Sequence, residues 1–405
     1  MKKDTTLAFV ITGHVDHGKS TLIGRILYDT KSLPKDRIRD VLGASLEKDV
    51  FAHFLDCFRE EREKDMTVDT TQVSFRTKRR TYTIIDAPGH REFIKSMITG
   101  ASYARIGVLV VDVNEGLKEQ TRRHASILSF LGIRKVIVAI NKMDTVNYEK
   151  DRFSLLQKET ERLLSRVGLK AHLFIPISAL KGENILKRSK RCRWYKGPSL
   201  IEAVDSMDIS PRVDPQNFVM CVQDNYRIDG KDIVVGRVDS GVIRKGRDVR
   251  ILPGKGNGKV ISIERFLERR DDAGTGESIG LDLAARHPPK RGDILCDAAG
   301  RPGLRRRFEA DILLFDRDIT VGERLALRCS TQEMRASIGK IFNRFDSSTL
   351  EELGKSPRLR CLDMARVIIK TERPVLVRRF CEDENLGRFV LEKDSVIAAC
   401  GIVVK

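Results

Sequence analysis

The sequence lacks paired cysteines and long apolar runs, and each absence excludes a class of protein. Its eight cysteines lie far apart with no CxxC pair, whereas metal sites and small disulfide scaffolds need closely spaced ligands. The apolar run near the start, residues 7–12, is too short to cross a bilayer and leads directly into a glycine loop. We therefore expect reduced thiols, no membrane span and a cytoplasmic location.

Aromatic residues are also scarce, at 6% of the chain with a single tryptophan, while positive charge is abundant. The 75 Lys and Arg residues against 57 Asp and Glu give a formal net charge of +18, which attracts nucleic acids or acidic proteins. Basic clusters lie at 78–80, 187–193 and 305–307. None is interleaved with aromatic residues as a base-stacking surface would be. The clusters are therefore equally compatible with three alternatives: a solvated face, a surface for an acidic partner, or RNA binding.

The order of apolar segments divides the 405 residues into an α/β half and an all-β half. In the first half, short apolar runs alternate with amphipathic segments such as 118–131 and 150–167, which predicts a mostly parallel sheet with helices on both faces. From Asn217 onward, short strands broken by Gly, Asp and Asn turns predict closed β-barrels. The predicted domains are an α/β domain at 1–209 and two barrels at 210–302 and 303–405.

A phosphate-binding loop follows the first predicted strand. The segment Gly13-His14-Val15-Asp16-His17-Gly18-Lys19-Ser20 fits the pattern GxxxxGK[ST] between a strand and a helix. Its glycines let the backbone approach phosphate oxygens, and the helix N-terminus supplies positive potential. We expect Lys19 to reach the β and γ phosphates and Ser20 to ligate Mg²⁺, with Thr21 also in the nucleotide site. His14 and His17 are expected to shape the loop rather than perform chemistry.

Two further strand ends carry groups suited to guanine. Asn141-Lys142-Met143-Asp144 follows the apolar run 136–140, and the Asp144 carboxylate can accept hydrogen bonds from the guanine N1–H and amine. Adenine would leave a buried carboxylate unpaired, so the pattern favours GTP and GDP over adenine nucleotides. Ser178-Ala179-Leu180 ends the fifth strand, where its backbone can bind the guanine carbonyl. These loops should converge, because α/β sheets bind ligands at the carboxyl ends of their strands.

Phosphoryl transfer needs a positioned water and neutralised phosphate charge. Asp86-Ala87-Pro88-Gly89 ends the run 82–85, so Asp86 is expected to hold the metal through water and the Gly89 N–H to bond the γ-phosphate. His90 follows immediately and is expected to orient the attacking water. The remaining histidines are expected to be structural: His53, His124, His172 and His287.

Thr67 lies in a polar stretch, 60–71, between the phosphate loop and Asp86. We expect its hydroxyl or backbone to complete the Mg²⁺ shell with Ser20 and Asp86, so that this stretch orders when a γ-phosphate is present and acts as a switch. A surface threonine is the alternative. The sequence thus predicts a GTPase whose catalytic groups are Lys19, Thr67 and His90.

These motifs resemble the translation-factor superfamily of GTPases, typified by elongation factor Tu, over essentially the whole chain. Asp86-Ala87-Pro88-Gly89-His90, followed by Phe93-Ile94 and the run Met-Ile-Thr-Gly-Ala at 97–101, is similar to that family's second switch. The resemblance implies two barrels that pack on the GTPase domain and move with nucleotide state. The chain ends with the last predicted barrel, so no fused adenylylsulfate kinase domain is expected.

Within the superfamily, the chain looks most like the GTPase subunit of bacterial sulfate adenylyltransferase (ATP sulfurylase). The supporting stretches are 69–75, 120–124, 194–198, 222–226 and 386–390. This resemblance implies a regulatory subunit that couples GTP hydrolysis to formation of adenosine 5′-phosphosulfate from ATP and sulfate by a smaller catalytic subunit. The segment Lys64-Asp65-Met66-Thr67 departs from that family's Arg-Gly-Ile-Thr, and Cys192-Arg193 replaces its Met-Pro.

The alternative is an elongation factor Tu-like GTPase that delivers aminoacyl-tRNA. The +18 charge favours it, as do His14 and His17, which elongation factors share and which many sulfurylase subunits replace by Ser and Asp. A specialised GTPase acting on another partner is a third hypothesis.

Overall fold

The structure is a computed structural model that describes residues 6–32, 51, 72–77, 79–86, 104–207, 217–228, 230–254, 256–265, 268–298 and 303–405. The chain forms two compact units. One comprises Met1–Ile209 with Ser347–Leu350, and the other comprises Ser210–Asp346 with Glu351–Lys405. No helix among the described residues combines the length and apolarity that a bilayer crossing needs.

A six-stranded sheet forms the centre of the first unit. Its strands are β1 (Leu7–Gly13), β2 (Gln72–Arg76), β3 (Thr81–Asp86), β4 (Ile106–Asp112), β5 (Lys135–Asn141) and β6 (Ala171–Pro176). They lie in the order β2-β3-β1-β4-β5-β6, and all neighbours are parallel except β2 and β3. Strand β4 is buried along its whole length, which explains its unbroken apolar sequence. The predicted parallel sheet is confirmed.

Four α-helices accompany the sheet in the described part of this unit. They are α1 (Lys19–Asp29), α2 (Glu119–Phe130), α3 (Lys150–Arg166) and α4 (Leu200–Ser206), with a 3₁₀ turn at Met143–Val146. Helix α4 starts with a capping box, because the Ser199 hydroxyl accepts from Glu202 N–H and the Glu202 carboxylate accepts from Ser199 N–H. Apolar residues of α1 pack into the same core as the sheet. Sheet and helices therefore fix the strand ends at which the predicted site lies.

The second unit contains two closed barrels of six strands each among its described residues. The first has β7 (Val219–Ile228), β8 (Lys231–Ser240), β9 (Val242–Arg244), β10 (Asp248–Leu252), β11 (Gly256–Arg265), β12 (Glu268–Arg270), β13 (Asp272–Gly274), β14 (Ser278–Ala285) and β15 (Ile294–Asp297). Its ring runs β10-β15-β7-β8-β14-β11 and closes by pairing of β10 with β11. Closure leaves no free edge in the ring.

The second barrel has β16 (Leu304–Leu314), β17 (Ile319–Thr320), β18 (Leu325–Cys329), β19 (Gln332–Asp346), β20 (Glu352–Leu353), β21 (Arg358–Leu359), β22 (Asp363–Leu376), β23 (Arg388–Lys393) and β24 (Val396–Val403). Its ring, β18-β23-β24-β16-β22-β19, closes between β18 and β19. Asn385 donates to the Asp239 carboxylate at 3.0 Å and so links the two barrels. The predicted fold class, an α/β domain followed by two barrels, is confirmed. The boundaries 1–209, 210–302 and 303–405 stay predictions.

Candidate nucleotide-binding site

The phosphate loop lies between β1 and α1 and closes around a lysine. Gly13 lies so near strand β4 that a Cβ atom there would come within 2.3 Å of the Val110 carbonyl oxygen. Gly18 has φ +86°, which glycine adopts without strain. Lys19 is only 8% exposed, and its Nζ donates to the His14 carbonyl at 2.6 Å. The loop therefore holds an ammonium group at its centre.

The N-terminus of helix α1 suits a polyphosphate. No side chain caps the helix and no acidic residue lies in its first turn. The first amide groups of a helix have no acceptor within the helix, and the helix dipole favours an anion there. Ser20 and Thr21 lie in this first turn and are partly exposed. These residues fit a nucleotide phosphate group, and the Ser20 hydroxyl is of the type that ligates Mg²⁺.

Helix α2 supports the phosphate loop from the side of strand β4. Gly13 N–H donates to His124 Nδ1 and Val15 N–H donates to Gln120 Oε1, both at 3.2 Å. Burial lowers the pKa of His124 to about 3, and the positive charges of Lys19 and other neighbours act in the same direction. The ring is therefore neutral near pH 7, and its Nδ1 is free to accept. Sequence reasoning treated His124 as structural and did not foresee this contact.

His17 is completely buried beneath the loop. Its Nδ1 lies 3.3 Å from the Val110 carbonyl oxygen, and its ring contacts that of His14 at a centroid distance of 5.1 Å. Burial lowers the pKa of His17 to about 4, although the hydrogen bond to Val110 opposes this shift. A neutral, enclosed imidazole of this kind shapes the loop and is remote from solvent. Asp16 lies at the exposed tip with φ +65°.

Asn141 joins the phosphate loop to the loops expected to bind guanine. It is 2% exposed. Its Nδ2 donates to the His17 carbonyl, and its Oδ1 accepts from Ala179 N–H, both at 2.9 Å. A Cβ on Gly18 would come within 2.5 Å of the same Nδ2. One amide side chain therefore fixes three loops relative to one another.

The carboxylate expected to select guanine is also held in place. Ser178 Oγ donates to Asp144 Oδ1 at 2.5 Å and itself accepts from Lys181 N–H at 3.1 Å. The Leu180 carbonyl accepts from Arg25 of helix α1 at 3.2 Å. Because the Ala179 N–H already donates to Asn141, a guanine carbonyl would have to share that donor.

Lys142 contacts an acid that the sequence analysis did not identify. Its Nζ lies 2.7 Å from Asp112 Oδ2, and Asp112 is 2% exposed at the end of strand β4. Burial by itself would raise the pKa of Asp112, but hydrogen bonds from Lys142 and the Asn114 N–H outweigh it and the pKa is lowered. The available signal was an acidic residue at the carboxyl end of a buried strand.

Several predicted site residues are not placed by the structure. Thr67, Gly89 and His90 lie outside the described residues. Asp86 is described by its backbone alone, which ends β3 and pairs in register with Ile11. The roles of these four residues in metal binding and catalysis stay predictions.

The arrangement defines a class of protein. A phosphate loop closed around a buried lysine, and hydrogen-bonded through a buried asparagine to a neighbouring strand-end loop whose serine orients a carboxylate, is a guanine-nucleotide-binding P-loop domain. Here that domain is joined to two β-barrels.

Comparisons with known proteins identify the family. Residues 4–209 match the model of the elongation factor Tu GTP binding domain, 232–296 match elongation factor Tu domain 2, and 307–404 match the GTP-eEF1A C-terminal domain-like family. The chain is 38% identical to elongation factor 1-alpha of Pyrococcus woesei, over 98% of this chain and 96% of the relative. It is 36% identical to that of Methanocaldococcus jannaschii, over 100% and 98%. A solved structure of sup35 complexed with GDP is 27% identical in sequence. The match covers 100% of this chain and 95% of the sup35 chain, with a TM-score of 0.45.

The chain therefore belongs to the translation-factor GTPases, the family that includes elongation factor 1-alpha. Its first domain binds GTP and GDP, with Mg²⁺ as the accompanying ion.

The assignment to the GTPase subunit of sulfate adenylyltransferase is wrong, and so is the expected partner, a smaller catalytic ATP sulfurylase subunit. The relatives reported above, which match along nearly the whole chain, are elongation factor 1-alpha. Described residues of three of the stretches behind the assignment have structural roles within this protein. Gln120 and His124 support the phosphate loop, Trp194 donates its Nε1–H to the Tyr148 carbonyl at 2.7 Å, and 222–226 lie in strand β7. Residues that contact other parts of their own chain indicate which fold the chain adopts. They do not indicate which partner protein it binds.

Proposed function

We propose that this chain is a translation GTPase of the elongation factor 1-alpha type, which carries aminoacyl-tRNA while GTP is bound and releases it after hydrolysis to GDP. The observation that carries the proposal is the likeness to elongation factor 1-alpha along the chain, 38% identity over 98% of its length. The net charge of +18 agrees with an RNA ligand. A carrier of this kind acts where translation takes place, in the cytoplasm.

In the proposed site, the phosphates lie against the loop 13–20 and the first turn of α1. Lys19 supplies a fixed positive charge for the β and γ phosphate oxygens. Neutral His124 keeps the Gly13 N–H oriented without adding a competing charge. Ser20, Asp86 and Thr67 would hold Mg²⁺, which when bound neutralises charge on the β and γ phosphates.

Base selection in this proposal depends on Asp144. Its carboxylate, oriented by the Ser178 hydroxyl, accepts from the guanine N1–H and amine, so a base without these donors leaves a charged acceptor unpaired. Lys142 is held by Asp112 at 2.7 Å, which keeps its ammonium away from the Asp144 carboxylate. The loop therefore offers the base a carboxylate that Ser178 orients and that Lys142 does not neutralise.

Hydrolysis is assigned to the second switch. His90 orients the attacking water, and Thr67 belongs to the segment that orders around the γ-phosphate. A His90→Ala variant should retain GDP and GTP affinity while its single-turnover hydrolysis slows by about 10²-fold or more. Hydrolysis at the wild-type rate would show that another group positions the water.

The test of the carrier function uses one aminoacyl-tRNA and two nucleotide states. Load the full chain with a non-hydrolysable GTP analogue or with GDP, and measure how far it protects the aminoacyl ester from spontaneous hydrolysis. We expect protection at sub-micromolar protein with the GTP analogue and at least tenfold weaker protection with GDP. Uncharged tRNA should compete poorly. If the protein binds both GDP and the GTP analogue tightly but protects the ester with neither, the carrier proposal is wrong, whereas the proposed nucleotide site is unaffected.

A further inference from the structure

One of the basic clusters lies in an exposed loop that the nucleotide site does not use. Between Glu183 and Glu202 the sequence has no acidic residue. The same stretch has six basic residues within ten positions, all exposed: Lys187, Arg188, Lys190, Arg191, Arg193 and Lys196. We call residues 187–196 the basic loop.

The first half of the basic loop is held by hydrogen bonds to its own backbone. Asn184 is buried, donates to the Pro176 carbonyl at 2.7 Å, and accepts from Ser189 N–H at 2.6 Å. The Ser189 hydroxyl accepts from the N–H groups of Arg191 and Cys192 at 3.0 and 3.2 Å. The loop therefore presents its charges from a defined backbone, and less conformational entropy is lost on binding.

The aromatic residues of the basic loop belong to its support. Trp194 packs against Phe153 of α3 at a centroid distance of 5.1 Å and donates to the Tyr148 carbonyl. Tyr195 donates its hydroxyl to the Pro198 carbonyl at 2.9 Å. These rings are not arranged as platforms for bases, so a nucleic acid would meet cations alone. Binding through this loop should consequently be independent of base sequence.

Within the described ranges of the chain, few of these charges are neutralised by a carboxylate. Arg191 approaches Glu183 at 3.7 Å but its side chain remains 66% exposed. The other five cations have no carboxylate within 4.0 Å in the part of the chain that the structure describes. On an ordinary solvated face the signs alternate, as in α3, where Glu159 and Glu161 accompany Lys158. A row of uncompensated positive charge is relieved by a polyanion.

We propose that the basic loop binds the phosphate backbone of RNA, without base specificity and in either nucleotide state. An acidic protein is the weaker match, because protein interfaces are depleted in lysine and centre on apolar anchors, and the exposed side chains of this loop are cations. Nucleic-acid interfaces are polar and strongly positive. The choice of RNA over DNA rests on the proposed function in translation.

The test measures the salt dependence of RNA affinity. The probe is a fluorescent 20-nucleotide single-stranded RNA of mixed sequence, titrated with the GDP-loaded full chain between 50 and 250 mM KCl. The test variant is Lys187→Gln/Arg188→Gln/Lys190→Gln. If each cation contacts one phosphate, the slope of log K against log[KCl] falls by about 2, and affinity at 0.1 M KCl falls by about 100-fold.

A matched control removes the same charge from a mixed-sign surface of the same unit. In Lys150→Gln/Lys158→Gln/Lys170→Gln three exposed lysines are lost, and we expect affinity to change by less than about threefold with the slope preserved. Equal losses in both variants would mean that net charge alone sets the affinity, and would overturn the proposal. An unchanged slope in the basic-loop variant would overturn it as well.

A second variant keeps the result interpretable if the first folds poorly. Arg193→Gln/Lys196→Gln leaves Ser189 and its neighbours intact and should lower the slope by about 1.4. GDP affinity should be unchanged in every variant, which monitors the fold. Because the measurement uses GDP and unmodified RNA, its outcome is separate from the ester-protection test of the carrier function. Tighter binding to DNA of the same length than to RNA would contradict the choice of RNA.

Discussion

Replacing Asn141 by aspartate tests how the site is held together. The substitution preserves shape but turns the Nδ2 donor, 2.9 Å from the His17 carbonyl oxygen, into a carboxylate oxygen. At a position only 2% exposed, the new acid must either face a carbonyl while charged or take up a proton and donate to it. Protonating an acid of pKa about 3.9 at pH 7.5 requires about 5 kcal/mol, and this bounds the destabilisation.

The protonation route gives the variant a distinctive pH dependence. The pKa of the new acid is higher in the folded protein than in the unfolded chain. The destabilisation that it causes therefore becomes smaller as the pH falls towards its pKa in the unfolded chain. We expect the stability difference from wild type to decrease from at most about 5 kcal/mol at pH 7.5 to about 2 kcal/mol at pH 5.5. Affinity for GDP at pH 7.5 should also be lower than that of the wild type, because a charged carboxylate repels the His17 carbonyl and weakens the connection between the phosphate loop and the Ala179 loop.

Urea unfolding followed by tryptophan fluorescence measures this difference in stability in the compact unit that contains Asn141. Trp194 is the single tryptophan and lies in the first unit. The control is Asn147→Asp, an exposed position on the same segment, which should change stability by less than about 0.5 kcal/mol. A penalty of under 1 kcal/mol for the Asn141 variant, or one that does not depend on pH, would show that the Asn141 Nδ2–H does not hold the phosphate loop as described.

Three further predictions concern the base, the buried histidines and the second unit. Asp144→Asn should weaken GTP binding by about 30-fold or more and favour xanthosine triphosphate, whose base has a carbonyl where guanine has its amine, as nucleotide competition will show. His17 and His124 are neutral when folded, with pKa values of about 4 and about 3, so unfolded chains take up more protons below pH 6.5. Stability should fall by up to about 2.7 kcal/mol per pH unit between pH 6 and 5 by Trp194 fluorescence, and a flat profile would contradict this. Gln332→Leu leaves the buried N–H and carbonyl of Leu376 without their side-chain partners, so calorimetry should show the second unit destabilised by about 2–4 kcal/mol with GDP affinity unchanged.

The elements of the first unit were predictable where the sequence pattern is local. Strand β4 follows from an unbroken apolar run, and helices α2 and α3 follow from amphipathic segments. Strand β2 was not identified as a strand, because it is an edge strand of only five residues. Its alternation of buried and exposed side chains is limited to Val73, Ser74 and Phe75. Short alternating segments carry little periodic signal.

Motifs at strand ends predicted the site, but the hydrogen bonds that connect its loops could not be predicted from the sequence. The bond from Gly13 to His124 spans 111 residues, and that from Asn141 to the His17 carbonyl spans 124. Such contacts depend on how helices and loops are placed against the sheet. The more specific error, the sulfurylase assignment, came from treating residues with structural roles, such as Trp194, as markers of a partner.

The most direct test of the account is displacement of a fluorescent GDP from the wild-type chain by GDP, IDP and ADP. IDP lacks the amine that Asp144 is expected to bind, so it should displace about 10- to 100-fold less effectively than GDP. ADP lacks both donors and should be weaker by at least about 1000-fold. Displacement by ADP within tenfold of GDP would contradict the claim that these strand-end loops form a guanine-specific site.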